Sequence, residues 1–468
     1  MSAQNAIKEK MPLTLGQVLT IAKDDNIRPV DVVLLEAQLQ TGNSQEQVLS
    51  QTLKEFDHNM EAIRVGLDDA SSLLLGKTGA ELFALEEPRL FDDKLIDRAL
   101  MYTMAAQVGN HVVGLNPCAG TGDSCPYTGF LFAMQETGYA PAQVAEVACL
   151  MLKIGAMFRV GKITSGCNME GFGAGAAAIA AATVQLRGGS PEDMERAMVL
   201  AISPTIAVPC TPRVMVPGLC ATHIGGAILI GTLAAGLAVK TNIEVNVPID
   251  VMLAMAAEVH PVSGRHVVPT VVEYMQPFFK RKASVEKLID ESVKQKEQQE
   301  IDATLEKAQR IAENLAKGAR PITQTLGEAV VGGSSQAVGS PTNAGRIAHY
   351  LAKGTIKAVD IALYPELFAR RGINVPGILM GAVFGASTAD ATMYKEVMQA
   401  VEAMGIAVSI HEVQEHQVQQ VTLTTDEGTY MVKSLNRGGA RLALADAVPS
   451  LEEARAVADK LGIVVVQA

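Results

Sequence analysis

The run GFGAGAAAIAAATVQL, residues 171–186, constrains the fold of this chain more than any other stretch. Alanine is the strongest helix former, and a helix that is apolar on every side belongs in an interior. Its side chains barely extend past the backbone, so neighbouring helices must come close to leave no void. Two other segments share this character. AQVAEVACLMLKIGAMFRV, residues 142–160, reads as an interior helix, and so does HIGGAILIGTLAAGLAV, residues 223–239. The latter is short of the roughly 20 apolar residues that cross a bilayer and is rich in Gly and Ala, so a buried core helix is expected rather than a span.

Upstream, TLGQVLTIAKDD, PVDVVLLEAQLQ and SQEQVLSQTLKEFDHNMEAIRVGL repeat apolar residues every three and four positions, which predicts successive amphipathic helices over residues 14–110. Breaks are expected at Gly188-Gly189-Ser190-Pro191, in the cysteine-bearing loop near residue 210, and at HPVSGRHVVPT. From Phe279 to Lys317 the chain turns charge-rich and helical, as in a solvated connector. Beyond Pro321 the runs IKAVDIALYP, GIAVSIHEV, QQVTLTTD, TYMVKSL and GIVVVQA predict strands interleaved with helices at 342–354, 390–405 and 450–462. The expectation is a multidomain protein. A mainly α-helical domain over 1–280 is followed by a connector over 281–318 and a smaller α/β domain over 319–468.

Function classes narrow quickly. With 468 residues, 48% of them apolar, the chain can bury large cores. A net charge of −11 and the lack of any Lys/Arg block argue against nucleic acid or an anionic membrane as partner. The start MSAQNAIKEKMPLTL has no apolar signal core, so a cytoplasmic location is expected. Six cysteines in a chain of this size and compartment suggest metal or catalytic use rather than a disulfide framework.

Three of those cysteines, Cys167, Cys210 and Cys220, are spaced C-x42-C-x9-C, each read as lying in a Gly- or Pro-bearing turn. Turns let thiolates converge without breaking a helix ladder. The absence of a CxxC pair does not suit a structural zinc site, whereas three thiolates on an iron-sulfur cluster would leave one iron open. On spacing alone, three buried thiols that never meet and three ligands of one cluster both stand.

The surrounding residues bear on that choice. ITSGCNMEGFGAGAAAIAAA, VPCTPRVMVPGLC and the upstream NPCAGTGDSCPYTGF together resemble the α-chain of the iron-sulfur L-serine dehydratases. Gly166, Cys167, Glu170 and Gly171 match that family's Gly-Cys-x-x-Glu-Gly segment, Cys210 and Cys220 match its paired cysteines, and TGDSC ending at Cys125 occupies its Asn-Gly-Ala-Cys-Gly loop with altered residues. The likeness spans residues 90–275. GGSSQAVGSPTNAGRIAHYL and VDIALYPELFARRGINVPGILMGAVFG likewise resemble the family's β-chain, in reversed order relative to its usual fusions. Both β-chain histidines are missing. The Ser-rich loop reads Ser334-Ser335-Gln336-Ala337, and the basic Gly loop is represented by Arg371 to Pro376.

The resemblance implies a [4Fe-4S] cluster on Cys167, Cys210 and Cys220, and a homodimer. It also implies elimination of water from a small hydroxy acid, either L-serine or a non-amino acid such as 2-(hydroxymethyl)glutarate. A cluster-bearing sensor or binding protein without turnover is the reading from a different class. An open iron polarises the hydroxyl while a base takes the α-proton. His223 and His111 are the base candidates, ahead of His260 and His266, and Glu170 is a candidate for orienting substrate. Carboxylate binding is expected from Thr121, Gly122, Asp123 and Ser124 and from Ser334, Ser335, Gly339 and Ser340, with Ser340-Pro341 read as N-cap and N1 of a helix. Cys149 is expected in the core, and Cys118 has no assigned role.

Overall fold

The computed structural model describes residues 3–116, 124–160, 172–208, 217–279, 281–319, 321–323, 328–332 and 338–467; the side chains of 159, 160 and 217–220 are outside the description. The chain divides into two compact units, Met1–Ile311 and Ala312–Ala468.

The first unit is helical. Its helices start where the sequence supplies caps. Thr14 and Ser44 each close a capping box onto a glutamine three residues on. Ser190 does the same with Asp193, directly after Gly188 turns the chain at φ +67°. The alanine helix, Gly175–Leu186, is buried from Gly175 through Val184, as its composition predicts. It packs on helix Pro191–Ile202, on helix Pro141–Val160 and on the long helix Pro217–Lys240. Glycines set the spacing. A Cβ on Gly231 would lie 2.7 Å from the Ala176 carbonyl, and a Cβ on Gly66 or Gly109 would overlap the Ala105 or Ala62 carbonyl where helices Asp57–Leu67 and Lys94–Val113 cross.

Helix Pro217–Lys240 is less interior than its sequence suggests. Leu229, Leu233 and Leu237, one turn apart, are exposed, and only 44% of the 20-residue window Ala221–Lys240 is buried. That window and Pro141–Phe158 are long and apolar enough to cross a membrane by length and composition. The break expected at HPVSGRHVVPT is also displaced, because helix Ile249–His266 runs through Pro261. Ala257, four residues earlier, is exposed, so water can satisfy the carbonyl that the proline leaves without a donor. The charged stretch forms helix Glu291–Gly318, with no buried residue.

The second unit is a five-stranded mixed sheet with helices. Strands β1 (Ile356–Leu363), β2 (Ala407–Glu412), β3 (Val418–Thr425), β4 (Thr429–Asn436) and β5 (Leu442–Val448) lie in the order β2-β1-β3-β4-β5. Only β1 and β2 are parallel, joined by a helical crossover; the remaining pairs are antiparallel. Helices Ser340–Leu351 and Arg371–Phe384 pack on one another and on the sheet, and alternate residues such as Val359, Ile361, Val421, Leu423 and Val432 are buried in this core. A helical domain followed by a smaller α/β domain therefore describes the chain.

Two local expectations are corrected here. GIVVVQA forms no strand of its own, only a bridge from Val465 to Leu442. The fifth strand is LALADAV instead, whose alanines and single β-branched residue hide its conformation. The Arg371–Pro376 segment is not a loop but the opening of helix Arg371–Phe384, with Pro376 inside it; Gly372, four residues before that proline, is exposed, so the ladder tolerates the missing bond.

Candidate functional site

The most constrained ground in the first unit lies at the start of helix Cys125–Glu136. Asn59, fully buried, grips the backbone of Asn116 from both sides. Its Nδ2 donates to the Asn116 carbonyl at 3.1 Å, and its Oδ1 accepts from the Asn116 N–H at 2.8 Å. Ser124 Oγ donates to the same carbonyl at 3.0 Å, so Asn116 and Ser124, the residues flanking 117–123, are held together. Directly after Ser124, Cys125 is fully buried and its Sγ donates to Gln107 Oε1 at 2.8 Å. Gln107 in turn places its Nε2 3.1 Å from His111 Nε2, one helical turn along. With Gln107 as donor, the His111 ring carries its proton on Nδ1, an assignment made from the network.

Two further elements reach this place. Gly175 opens the alanine helix, and a Cβ there would lie 3.5 Å from Pro126 and 3.2 Å from Ala227, so glycine is what lets the starts of two helices and the flank of a third meet. Phe172, in a π-helical turn just before, sets its ring 4.7 Å from the His223 ring at 52°. Ala221, next along from Cys220, packs on the small cluster of Leu75 and Val108, beside Gln107. The described residues that follow 117–123, 161–171 and 209–216 thus meet one another, with Cys125 and Ala221 against the last turns of helix Lys94–Val113.

Electrostatics favour an anion at this gathering. The helices starting at Cys125 and Pro217 carry no acidic residue in their first turns, so their positive ends are not neutralised by their own first-turn side chains. The neighbours named above are small, aromatic, amide or imidazole groups, with no carboxylate, lysine or arginine among them.

In the second unit, helix Ser340–Leu351 has Gly339 before it in helical geometry, φ −64° and ψ −44°, with no side-chain cap. Ser340 therefore lies inside the helix, after a π-helical turn at 338–339, and is not the N-cap. Its Oγ faces inward and accepts from Gln419 Nε2 at 2.7 Å, and the same amide donates to Ser434 Oγ at 3.1 Å. All three side chains are fully buried. A Cβ on Gly339 would lie 2.8 Å from Ala440 Cβ, so the 437–441 turn closes on the helix start, and Asn343 Nδ2 bonds the Ala440 carbonyl at 2.9 Å.

The expected site residues divide accordingly. Cys167, Cys210, Glu170, Thr121, Gly122, Asp123, Ser334 and Ser335 lie outside the described residues, as does the side chain of Cys220, whose backbone is in the first turn of helix Pro217–Lys240. His223 is half-buried and His111 exposed, and both belong to the gathering around Cys125. Ser124 is there too, its hydroxyl engaged by Asn116, while Gly339 and Ser340 belong to the second unit. Gln107 and Asn59 went unnoticed in the sequence. Both occupy ordinary polar positions on helix faces, and only their burial and their bonds to Asn116 and Cys125 reveal the role. Among the described residues, no three His, Cys, Asp or Glu side chains form a metal-ligating group. No protein-family model and no curated protein matches the chain.

Proposed function

We propose that this chain is a [4Fe-4S]-dependent hydro-lyase acting on a small 3-hydroxy carboxylic acid, with L-serine, converted to pyruvate and ammonia, as the foremost substrate. The observation that carries the reading is the gathering of Cys125, Gly175 and His223 with their neighbours, because these residues adjoin the segments whose sequences resemble the dehydratase α-chain. The surroundings fit such a group. Among the described residues named above, they offer small side chains and no carboxylate to compete with thiolates for iron.

Cys167, Cys210 and Cys220 would hold the cluster, which when bound supplies Lewis acidity to the substrate's hydroxyl and carboxylate. The chain's own groups do the rest. The positive end of helix Cys125–Glu136, which has no acidic residue in its first turn, attracts the substrate carboxylate, together with the 121–123 segment. His223, its ring held against Phe172, takes the α-proton as hydroxide departs from the β-carbon. From serine this leaves an enamine, which tautomerises and takes up water to release ammonia and pyruvate. His111, held through Gln107, is the second candidate for proton transfer, and Glu170 for orienting the substrate. Cytoplasmic location and a homodimer belong to the same proposal.

A specific observation favours the alternative substrate class. Gln336 and Ile373 occupy the places of the family's β-chain histidines, so the partner for serine's amino group is in question and a diacid such as 2-(hydroxymethyl)glutarate becomes the natural second substrate. Anaerobically reconstituted protein tests both readings. Pyruvate released from L-serine supports the first, and turnover of the hydroxymethyl diacid with inertness toward serine supports the second. A cluster spectrum that ignores every hydroxy acid would remove the enzymatic reading and leave a sensor or binding protein.

A further inference from the structure

Away from this site, helices Pro29–Thr41, Gln45–Lys54 and Pro141–Val160 line a cavity of about 220 Å³ that is open to solvent on one side. A dry cavity of about 150 Å³ takes benzene, so this one has room for roughly six to nine non-hydrogen atoms. Val33, Val48 and Leu152 form its apolar wall.

The opposite wall is polar and already charge-balanced. Glu36 and Lys153 pair at 2.7 Å with side chains only 3% and 14% exposed. The Glu36 carboxylate also accepts from the Leu13 N–H at 2.7 Å and from Gln40 Nε2 at 3.5 Å. Lys153 donates to the Leu13 carbonyl at 2.8 Å. An ammonium has three N–H bonds, and two are accounted for by Glu36 and Leu13. One donor thus remains on a nearly buried lysine at the edge of an apolar space, and no other charged side chain lines the cavity.

This arrangement specifies an occupant. A charged ligand would bring an unbalanced charge into a half-enclosed apolar volume, where it is costly. A wholly apolar one would leave the third lysine donor unanswered. We propose that this cavity is a binding site for a small neutral molecule with an aliphatic body and one carbonyl or hydroxyl oxygen, which accepts from Lys153. The inference goes beyond the dehydratase reading and does not depend on it.

Cys149 supplies the readout. Its thiol lines the cavity, is 5% exposed and donates to Thr52 Oγ1 at 3.3 Å. Burial pushes it up from the ordinary thiol range, a shift that the Thr52 contact only partly offsets. Methyl methanethiosulfonate transfers its methylthio group to a cysteine thiolate, forming a mixed disulfide with methanesulfinate leaving, and the modified peptide is quantified by mass spectrometry. With cyclohexanone as the neutral probe at ten times its Kd, modification of Cys149 in the full chain is expected to slow about tenfold, as simple occupancy requires, while the other five cysteines keep their rates. Cyclohexanecarboxylate, of similar shape but anionic, is expected to give no protection. Lys153→Met should abolish the effect of cyclohexanone. Because that change leaves Glu36 unpaired and could unfold the unit, Ala156→Leu serves as a second variant that narrows the cavity and leaves the ion pair in place. Equal protection by both probes, uniform slowing at every cysteine, protection unchanged in Ala156→Leu, or no protection at all would each overturn the proposal.

Discussion

Helices Asp57–Leu67 and Lys94–Val113 in the first unit cross on Gly66 and Gly109, and helices Ser340–Leu351 and Arg371–Phe384 in the second cross on Gly345 and Gly381. The two crossings use the same device, backbone against backbone, but what surrounds them differs. Around the first, the interior that leads to Cys125 is closely packed and mostly apolar, with small residues such as Ala99, Ala105 and Ala106 set among Met101, Met104, Tyr127 and Phe130, and a few polar groups such as Gln107 and Asn59 clamped to fixed partners. Beneath helix Ser340–Leu351 the interior is hydrogen-bonded, with Ser340, Thr342, Asn343, Gln419, Ser434 and Asn436 all buried. The first unit places its candidate site by volume and the second by donor and acceptor matching. A change of size should therefore hurt most in one and a change of chemistry in the other.

The largest expected effect tests the volume side. Gly109→Val pushes a branched side chain into the Ala62 carbonyl, two residues before His111, and should destabilise the helical unit by about 3 kcal/mol or more, at the upper end of overpacking. The chain has no Trp, so hydrogen exchange read by mass spectrometry is the suitable probe, and loss of protection should concentrate in residues 57–113. Unchanged protection there would mean that the crossing does not fix the unit.

The next prediction looks for an exception in the same unit. Asp97, 1% exposed, accepts from the backbone N–H groups of Arg89, Leu90 and Phe91 and pairs with Arg89. Asp97→Ala leaves those three backbone donors without an acceptor and takes one partner from the nearly buried Arg89, which keeps Glu87 and the Leu82 carbonyl, and should cost about 3 kcal/mol. Burial alone would raise its carboxyl, but the Leu90, Arg89 and Phe91 bonds outweigh that and hold it below the ordinary carboxylate range. Glu87, bonded to Arg98 and Arg89, is held down to about 2. Because both folded-state values are lowered, their stabilisation is complete above the unfolded carboxylate range near 4 and is lost as pH falls through the lowered values. Acid unfolding measured by circular dichroism should lose its steepest part below about pH 4 in Asp97→Ala. An acid limb identical to wild type would show that this anchor carries no stability.

On the donor and acceptor side, Ser434→Ala removes one acceptor of the buried Gln419 amide with almost no change in volume, and should cost about 1–2 kcal/mol. Exchange in strands β3 and β4 reads it, and a neutral result would erase the contrast between the two units. The smallest expected effect is at the surface. Arg28 pairs with Glu146 at 2.7 Å while half exposed, and Glu146→Gln should change stability by about 0.5 kcal/mol, less in high salt.

The same contrast explains what the sequence reveals. The alanine run, the capping boxes at Thr14 and Ser44 and the β-branched strands β1 to β4 follow from local periodicity and are legible in order along the chain. Strand β5 is not, because LALADAV gains its conformation from pairing with β4 rather than from its own residues. Pro261 and Pro376 mislead, since each sits where the freed carbonyl four residues back is at an exposed position. At the candidate site, His111, His223 and Cys125 are visible as chemistry-bearing residues. Their meeting through Gln107, Phe172 and Gly175 depends on contacts between elements far apart in sequence, which no local pattern encodes.

The central claim is that Cys167, Cys210 and Cys220 hold one iron-sulfur cluster, and the most direct test is iron and sulfide content after anaerobic reconstitution of the wild type and of single Cys→Ser variants. The account predicts about four irons and four sulfides per chain for the wild type and for Cys149→Ser, with each of Cys167→Ser, Cys210→Ser and Cys220→Ser falling well below that. Full loading of those three variants, or a wild type that takes up no iron, would contradict it.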